Sequence, residues 1–227
     1  MLILVLGKGK TGTLVAEVAR ERGHGVRALD IDENAHASAL TAPNLAGVDV
    51  MVDFTAPEAA VENMRAVLAI GCRIVVGTTG WYGKLPEMKA LAMQRGGGLL
   101  YGTNFSIGVQ KLFRLTAEVA RLDGYAFSIA ETHHESKLDA PSGTALTLRQ
   151  IIQSVRPDAE VPITSHRIGD AKGEHIVTAK SDGDVLELRH DAFSRRGFAI
   201  GAVRGAEWLA AQKHPGVWDF RQIFDQL

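Results

Sequence analysis

The order of apolar and polar runs in this chain predicts an α/β fold, with a parallel sheet in the first half and an α+β unit after it. As far as residue 104, short solid apolar runs alternate with longer amphipathic stretches. That is the pattern of parallel strands buried on both faces and joined by helices. The first such run leads straight into Gly7-Lys8-Gly9-Lys10-Thr11-Gly12. Beyond residue 104 the strands change character, with Leu186 and Leu188 alternating with Glu187 and Arg189, as in a sheet with one dry and one wet face.

Taken in order, Leu2-Ile3-Leu4-Val5-Leu6 reads as a central strand, and residues 13–22 as a helix with Leu14, Val15, Val18 and Ala19 inward and Gly23 as its stop. Residues 26–31 give a second strand that carries Asp30, with Asp32 just beyond. Strand, G-x-G-x-x-G, helix, strand and acid together form the dinucleotide fingerprint: the glycines admit a pyrophosphate at the helix N-terminus, and an acid about 20 residues on holds the ribose hydroxyls. Residues 49–54 and Arg73–Val76 continue the sheet, separated by a helix that starts at Pro57 and closes at Gly71. The second of these strands ends in Gly77-Thr78-Thr79-Gly80, a strand-to-loop end of the kind that meets ligand in a doubly wound sheet. A helix over 85–94 and a strand from Leu99 to Tyr101, ending in Thr103-Asn104, complete this half.

After Asn104 a long helix over 107–121 is stopped by Gly124, and an apolar strand over 125–130 follows. Three more strands, Ile163–Arg167, Glu174–Lys180 and residues 184–190, make a sheet whose last two members are joined by Ser181-Asp182-Gly183. An amphipathic helix over 198–213, carrying Val203, Ala206, Trp208 and Leu209, returns to the first domain. The expected division is therefore residues 1–104, completed by 197–227, and residues 105–196. A sheet covered by a single helix is under-covered, which points to a subunit interface.

Composition sets outer bounds. A chain of 227 residues can bury one large core or two smaller ones. A net charge of -1 with scattered basic residues argues against a nucleic-acid partner, and no apolar run approaches a membrane span. The single cysteine, Cys72, excludes an internal disulfide and suits a reducing compartment. No basic, cleavable leader follows Met1, so the expected location is cytoplasmic.

The densest chemistry lies in residues 131–145, ETHHESKLDAPSGTA. His133, His134, Lys137 and Asp139 precede a turn, Pro141-Ser142-Gly143-Thr144, that opens a helix. Ser142 and Thr144 can cap that helix, and its first N–H groups can receive an anion. Proton donors and a cation beside an anion-binding turn suit a carboxylate substrate that must be protonated. The adjacent pair His133-His134 lacks the i, i+4 spacing of a helical zinc pair, so no metal is expected. His24, His36, His166 and His214 are expected to be solvated.

This motif resembles the signature of the dihydrodipicolinate reductase family. Other segments agree in order: the glycine loop, Val52-Asp53-Phe54-Thr55, Val76-Gly77-Thr78-Thr79-Gly80, Asn104-Phe105-Ser106-Ile107-Gly108-Val109, and Arg167-Ile168-Gly169 through Gly173-Glu174-His175. The resemblance implies a Rossmann-like parallel-sheet dinucleotide-binding domain plus an α+β substrate and oligomerisation domain with an open mixed sheet. It implies NADH- or NADPH-dependent reduction of a small cyclic dicarboxylate in the diaminopimelate route to lysine, by a homotetramer with neither nucleic acid nor membrane as partner. It assigns His133 as general acid and Lys137 as the residue that holds or protonates substrate, with His134, Ser142, Gly143 and Thr144 on the carboxylates. It assigns the cofactor to Gly7, Gly9, Lys10, Thr11, Gly12, Asp30, Gly77, Thr78, Thr79, Asn104 and Phe105.

Two features depart from the family pattern. The glycine loop is one residue shorter than usual, with Lys10-Thr11 where arginine and methionine stand, and Asp30 is not followed by an arginine. An acid at the ribose and no guanidinium beside it lead to the expectation that NADH is favoured or used equally with NADPH. Two other readings fit a two-domain dinucleotide protein: an NAD(P)-dependent amino-acid dehydrogenase, and a non-catalytic dinucleotide sensor. A sensor has no need of the acid and lysine, and a dehydrogenase runs in the opposite direction.

Overall fold

The computed structural model describes residues 1–227, in two compact units: Met1–Ser106 with Arg196–Leu227, and Ile107–Arg195. In the first unit the elements are β1 (Leu2–Leu6), α1 (Lys10–Glu21), β2 (Gly25–Leu29), β3 (Val50–Asp53), α2 (Pro57–Ala69), β4 (Arg73–Val76), α3 (Leu85–Arg95) and β5 (Gly98–Tyr101). The second unit holds α4 (Ile107–Val119), β6 (Ala126–His133), α5 (Gly143–Val155), β7 (Ile163–Arg167), β8 (Glu174–Lys180) and β9 (Val185–Asp191). The chain then re-enters the first unit as α6 (Arg196–Ala210), β10 (Gly216–Asp219) and α7 (Phe220–Ile223).

The first sheet has six strands in the order β10-β5-β4-β3-β1-β2, all parallel. Ile3, Leu4, Val5, Leu6, Val50, Met51 and Val52 have no exposed surface. Continuous apolar runs are therefore what these strands need, because helices cover both faces. The edge strand β10 was not expected. It is short, it follows Pro215, and its only strand partner is β5, so nothing local marks it.

The second sheet, β7-β6-β8-β9, is mixed: β7 runs parallel to β6, while β8 and β9 are antiparallel neighbours. Phe127, Ile129, Val177 and Ala179 turn to one face and pack with Val109, Leu112, Phe113, Leu148 and Ile152 of α4 and α5. Two helices rather than one cover that face. The opposite face presents Ser128, Thr178 and Glu187, which are register partners across β6, β8 and β9, and it carries no helix.

One boundary differs in a way that matters. The expected strand over 125–130 runs on to His133, so Glu131 and His133 belong to the sheet and the loop begins at His134. The polar run stays extended because it is flanked on both sides: Glu131 pairs with Ser165 of β7 and with His175 of β8. No helix is long and apolar enough to cross a membrane.

Candidate active site

In the first unit, β1 delivers the chain to a turn made of backbone. Gly7 sits at φ +92°, and a Cβ there would lie 2.6 Å from the carbonyl oxygen of Phe54. A Cβ on Gly12 would lie 1.9 Å from the oxygen of Gly7, so the loop can close only without side chains at both positions. α1 begins at once at Lys10-Thr11, with Gly9 as N-cap and no acidic residue in its first turn, which leaves its N–H groups suited to an anion. Beside the turn is a cavity of about 540 Å³, lined among others by Gly7, Gly9, Asp30, Ile31, Phe54 and Thr55.

Asp30 lies just past β2, and its Oδ1 faces the N–H groups of Ile31 at 3.0 Å and Lys8 at 3.5 Å. Lys8 is ion-paired with Glu33, whose carboxylate also accepts from the N–H of Asp30 at 2.9 Å. Gly77, Thr78 and Thr79 follow β4, as expected, but the Thr78 side chain turns inward: its hydroxyl donates to Asp53 at 2.8 Å and accepts from the N–H of Thr55 at 2.8 Å. Asn104 and Phe105, in the segment that follows β5, are buried, and the Phe105 ring packs on Phe220 of the same unit with centroids 4.4 Å apart. His24, expected to be solvated, is instead half-buried against Glu207 at 2.7 Å.

In the second unit the register of the sheet assembles a polar row. Ser165, Glu131, His175 and His190 are successive neighbours across β7, β6, β8 and β9, and His133 stands two residues along β6 on the same face. Glu131 is fully buried, and His133 and His175 are 8% and 4% exposed. The two imidazoles meet edge to face with centroids 5.1 Å apart. Glu131 accepts from the N–H of Ser142 at 3.0 and 3.1 Å, from the hydroxyl of Ser165 at 2.8 Å and from the guanidinium of Arg167 at 3.3 Å. Its carboxylate is thereby anchored to the turn that opens α5.

Electrostatics follow from this burial. Desolvation opposes the Glu131 charge, yet the hydrogen bonds from Ser142 and Ser165 win and hold its pKa down to about 2. Burial pushes His175 down to about 4, with the neighbouring His133 adding to the effect. His133 is also lowered, first by burial, with Lys137 and Arg167 adding to it and Glu131 opposing it.

The loop after β6 carries the remaining predicted residues. Lys137 pairs with Asp139 at 2.7 Å, and His134 reaches the hydroxyl of Ser136 at 2.8 Å. Arg167 fastens this loop, donating to the carbonyls of Lys137 at 3.2 Å and Asp139 at 2.5 Å. Ser142 is the N-cap of α5; its hydroxyl accepts from the N–H of Ala145 at 3.2 Å and lies 3.2 Å from Nε2 of His175. Gly143 and Thr144 form the first turn of α5, next to that cap. Glu131, His133 and His175 bring one ligand-type atom each within 4.8 Å of one another, the one cluster here with the composition of a metal site. One oxygen of the carboxylate at its centre, Oε1, is already committed to Ser142, Ser165 and Arg167.

Two family models, described as dihydrodipicolinate reductase N-terminus and C-terminus, match residues 1–105 and 108–224. The chain belongs to the dihydrodipicolinate reductase family. It is 33% identical to the 4-hydroxy-tetrahydrodipicolinate reductase of Christiangramia forsetii, over 100% of this chain and 99% of that relative. It is 36% identical to the enzyme of the same name from Natronomonas pharaonis, over 97% and 98%. The dipicolinate-bound dihydrodipicolinate reductase from Paenisporosarcina sp. TG-14 has the same fold, with a TM-score of 0.81 over 100% of this chain and 99% of that one at 24% identity. An amine dehydrogenase from Mycobacterium smegmatis shares the fold more distantly, at a TM-score of 0.67 and 12% identity, over 97% and 95%.

Membership makes the protein an oxidoreductase of the diaminopimelate route to lysine, with NADH or NADPH as its cofactor. The glycine turn, which side chains would fill, and the adjoining cavity fit a dinucleotide. The sequence motifs located His133, His134, Lys137 and the Ser142 turn. They gave no role to Glu131, Ser165, Arg167 or His175, which come from three strands, β6, β7 and β8.

Proposed function

We propose that this protein reduces dihydrodipicolinate, formed from its hydroxylated tetrahydro precursor by loss of the hydroxyl as water, to tetrahydrodipicolinate, with His133 giving the proton. The observation that carries this reading is the buried His133 beside an anchored carboxylate, two residues from the Glu131–Ser142 contact that fixes the α5 N-terminus. When bound, the reduced nicotinamide supplies a hydride to the conjugated imine. Gly7, Gly9, Lys10, Thr11 and Gly12 hold the pyrophosphate, Asp30 the ribose hydroxyls, and Gly77, Thr78, Thr79, Asn104 and Phe105 the nicotinamide end.

Reduction leaves electron density on the substrate that a proton must quench. His133 supplies it; burial lowers the basicity of the ring, and the two carboxylates of the substrate would bring negative charge that raises it again. Lys137 exchanges its exposed partner Asp139 for a substrate carboxylate. The α5 N-terminus, with Ser142, Gly143, Thr144 and neighbouring His134, receives the other. The dipicolinate bound to the Paenisporosarcina reductase is a cyclic dicarboxylate of the same class.

Oxidation of NADH or NADPH, coupled to substrate freshly formed from pyruvate and aspartate semialdehyde, tests the reading. Turnover that depends on both precursors and on the enzyme that condenses them is expected; nucleotide oxidation with neither, or none with both, contradicts it. The helix-free face of the second sheet is proposed to build a homotetramer. Sedimentation equilibrium is expected to give four times the 24.4 kDa chain mass, and an active monomer rejects it.

A further inference from the structure

The two oxygens of Glu131 are not equivalent. Oε1 accepts from Ser142 at 3.0 Å, Ser165 at 2.8 Å and Arg167 at 3.3 Å, which commits it fully. Oε2 shares only the Ser142 N–H, at 3.1 Å, and faces Nδ1 of His133 at 3.6 Å and Nε2 of His175 at 3.7 Å. Nδ1 of His133 is buried and has no hydrogen-bond partner. A buried N–H left in that state is costly, and a contraction of a few tenths of an ångström toward Oε2 relieves it. The other ring nitrogen, Nε2, lies against Gly173, where a Cβ would come within 3.2 Å of it, and Gly173 stands at φ +140°. The side that must stay open for reaction is thus kept clear by a residue with no side chain.

The groups facing His133 divide by sign. Lys137 from the following loop and Arg167 from β7 oppose a positive imidazole, and Glu131 from its own strand and Asp139 from the loop favour one; His175 from β8, held down to about 4 by burial, faces the ring uncharged. Of the two acids, only Glu131 is buried.

Resting on the reading of His133 as the general acid, we propose that Glu131 is its positioning residue. It takes the Nδ1–H, fixes the tautomer that leaves Nε2 to deliver the proton, and supports the ring's charge against Lys137 and Arg167. It also ties that acid to the anion-receiving turn, since the same carboxylate holds the N–H of Ser142. Neither Glu131 nor His175 was given a role by the motif.

The test is the pH dependence of kcat/KM for the wild type, Glu131→Gln, Glu131→Asp and Ser165→Ala, with nucleotide affinity and thermal melting followed in parallel. Glu131→Gln keeps the shape and removes the charge, so activity is expected to fall away on the alkaline side about one pH unit or more earlier than in the wild type. At pH 8 the rate is expected to drop on the order of tenfold or more, with nucleotide affinity unchanged. Glu131→Asp is expected to move the profile in the same direction by less, and it decides the matter if the glutamine variant does not fold. Ser165→Ala, which removes one contact and no charge, is expected to leave the profile in place. A folded Glu131→Gln that loses rate but keeps the wild-type pH profile overturns the proposal and leaves Glu131 a structural anchor. His133→Gln separates this from the underlying reading: wild-type rate and profile in that variant remove the acid itself, whereas loss of the limb with an unmoved Glu131→Gln profile removes only the positioning role.

Discussion

The two polar centres of this molecule are built in opposite ways. The glycine turn after β1 is defined by missing side chains: Gly12 comes so close to Gly7 that a methyl group would meet its oxygen at 1.9 Å. The Glu131–His133–His175 cluster is defined by side chains that β6 and β8 bring together through their register. In the reading proposed above the first binds through backbone N–H groups, so it should tolerate change in most side chains around it. The second depends on particular charges in a dry setting, where each removal leaves another group unpaired. Substitutions should therefore act on different observables in the two centres, and predictions can be ranked by how sharply they separate them.

The largest expected effect is on turnover. His133→Ala should lower kcat by roughly 10²–10⁴-fold, the range for loss of a general acid, which steady-state kinetics with the assembled substrate will read. Next is stability against acid. His175 has a folded pKa near 4, below the ordinary value of 6.5, so its contribution is complete above pH 6.5 and is lost as pH falls toward 4. That shift corresponds to roughly 3 kcal/mol. Urea unfolding at pH 7 and pH 4.5 should show the wild type losing more stability than His175→Gln; parallel losses contradict it. Glu131, held near 2, adds a second loss that begins only below its unfolded value of 4.5.

Smaller effects concern grip and choice of ligand. Lys137→Ala removes a charge-assisted contact worth about 1.5–3 kcal/mol, so KM for the substrate should rise while nucleotide affinity holds. An unchanged KM removes Lys137 as an anchor. The nucleotide preference is the mildest: Asp30 faces the cavity and Glu33 occupies Lys8, so NADH should be used at least as well as NADPH. Asp30→Ala should shift kcat/KM toward NADPH by about tenfold, comparable to one hydrogen-bonded contact. A strong wild-type preference for NADPH that Asp30→Ala leaves untouched shows that Asp30 does not read the ribose.

The same contrast explains what was legible in the sequence. The glycine turn is local, so its spacing and the flanking apolar runs announced it, as they did β1, β4, β7 and β8. β10 escaped because its four residues carry no periodicity and its partner β5 lies far away in the chain. His133 and Lys137 stood out as candidates because one short motif contains both. Glu131 was in the same motif, but the role proposed for it depends on lying between Ser165 and His175, and cross-strand register is not written in local sequence. The extra length of β6 was missed for the same reason, since its polar end is extended only because two strands flank it.

The central claim is a division of labour: backbone holds the nucleotide, and the buried histidine cluster supplies the proton. Titration of NADH fluorescence on His133→Ala and Gly12→Ala, with turnover measured on both, tests it most directly. The account predicts that His133→Ala binds NADH within about twofold of the wild type while turnover collapses by roughly 10²–10⁴-fold, and that Gly12→Ala loses NADH binding. Wild-type NADH binding by Gly12→Ala, or near-normal turnover by His133→Ala, would contradict it.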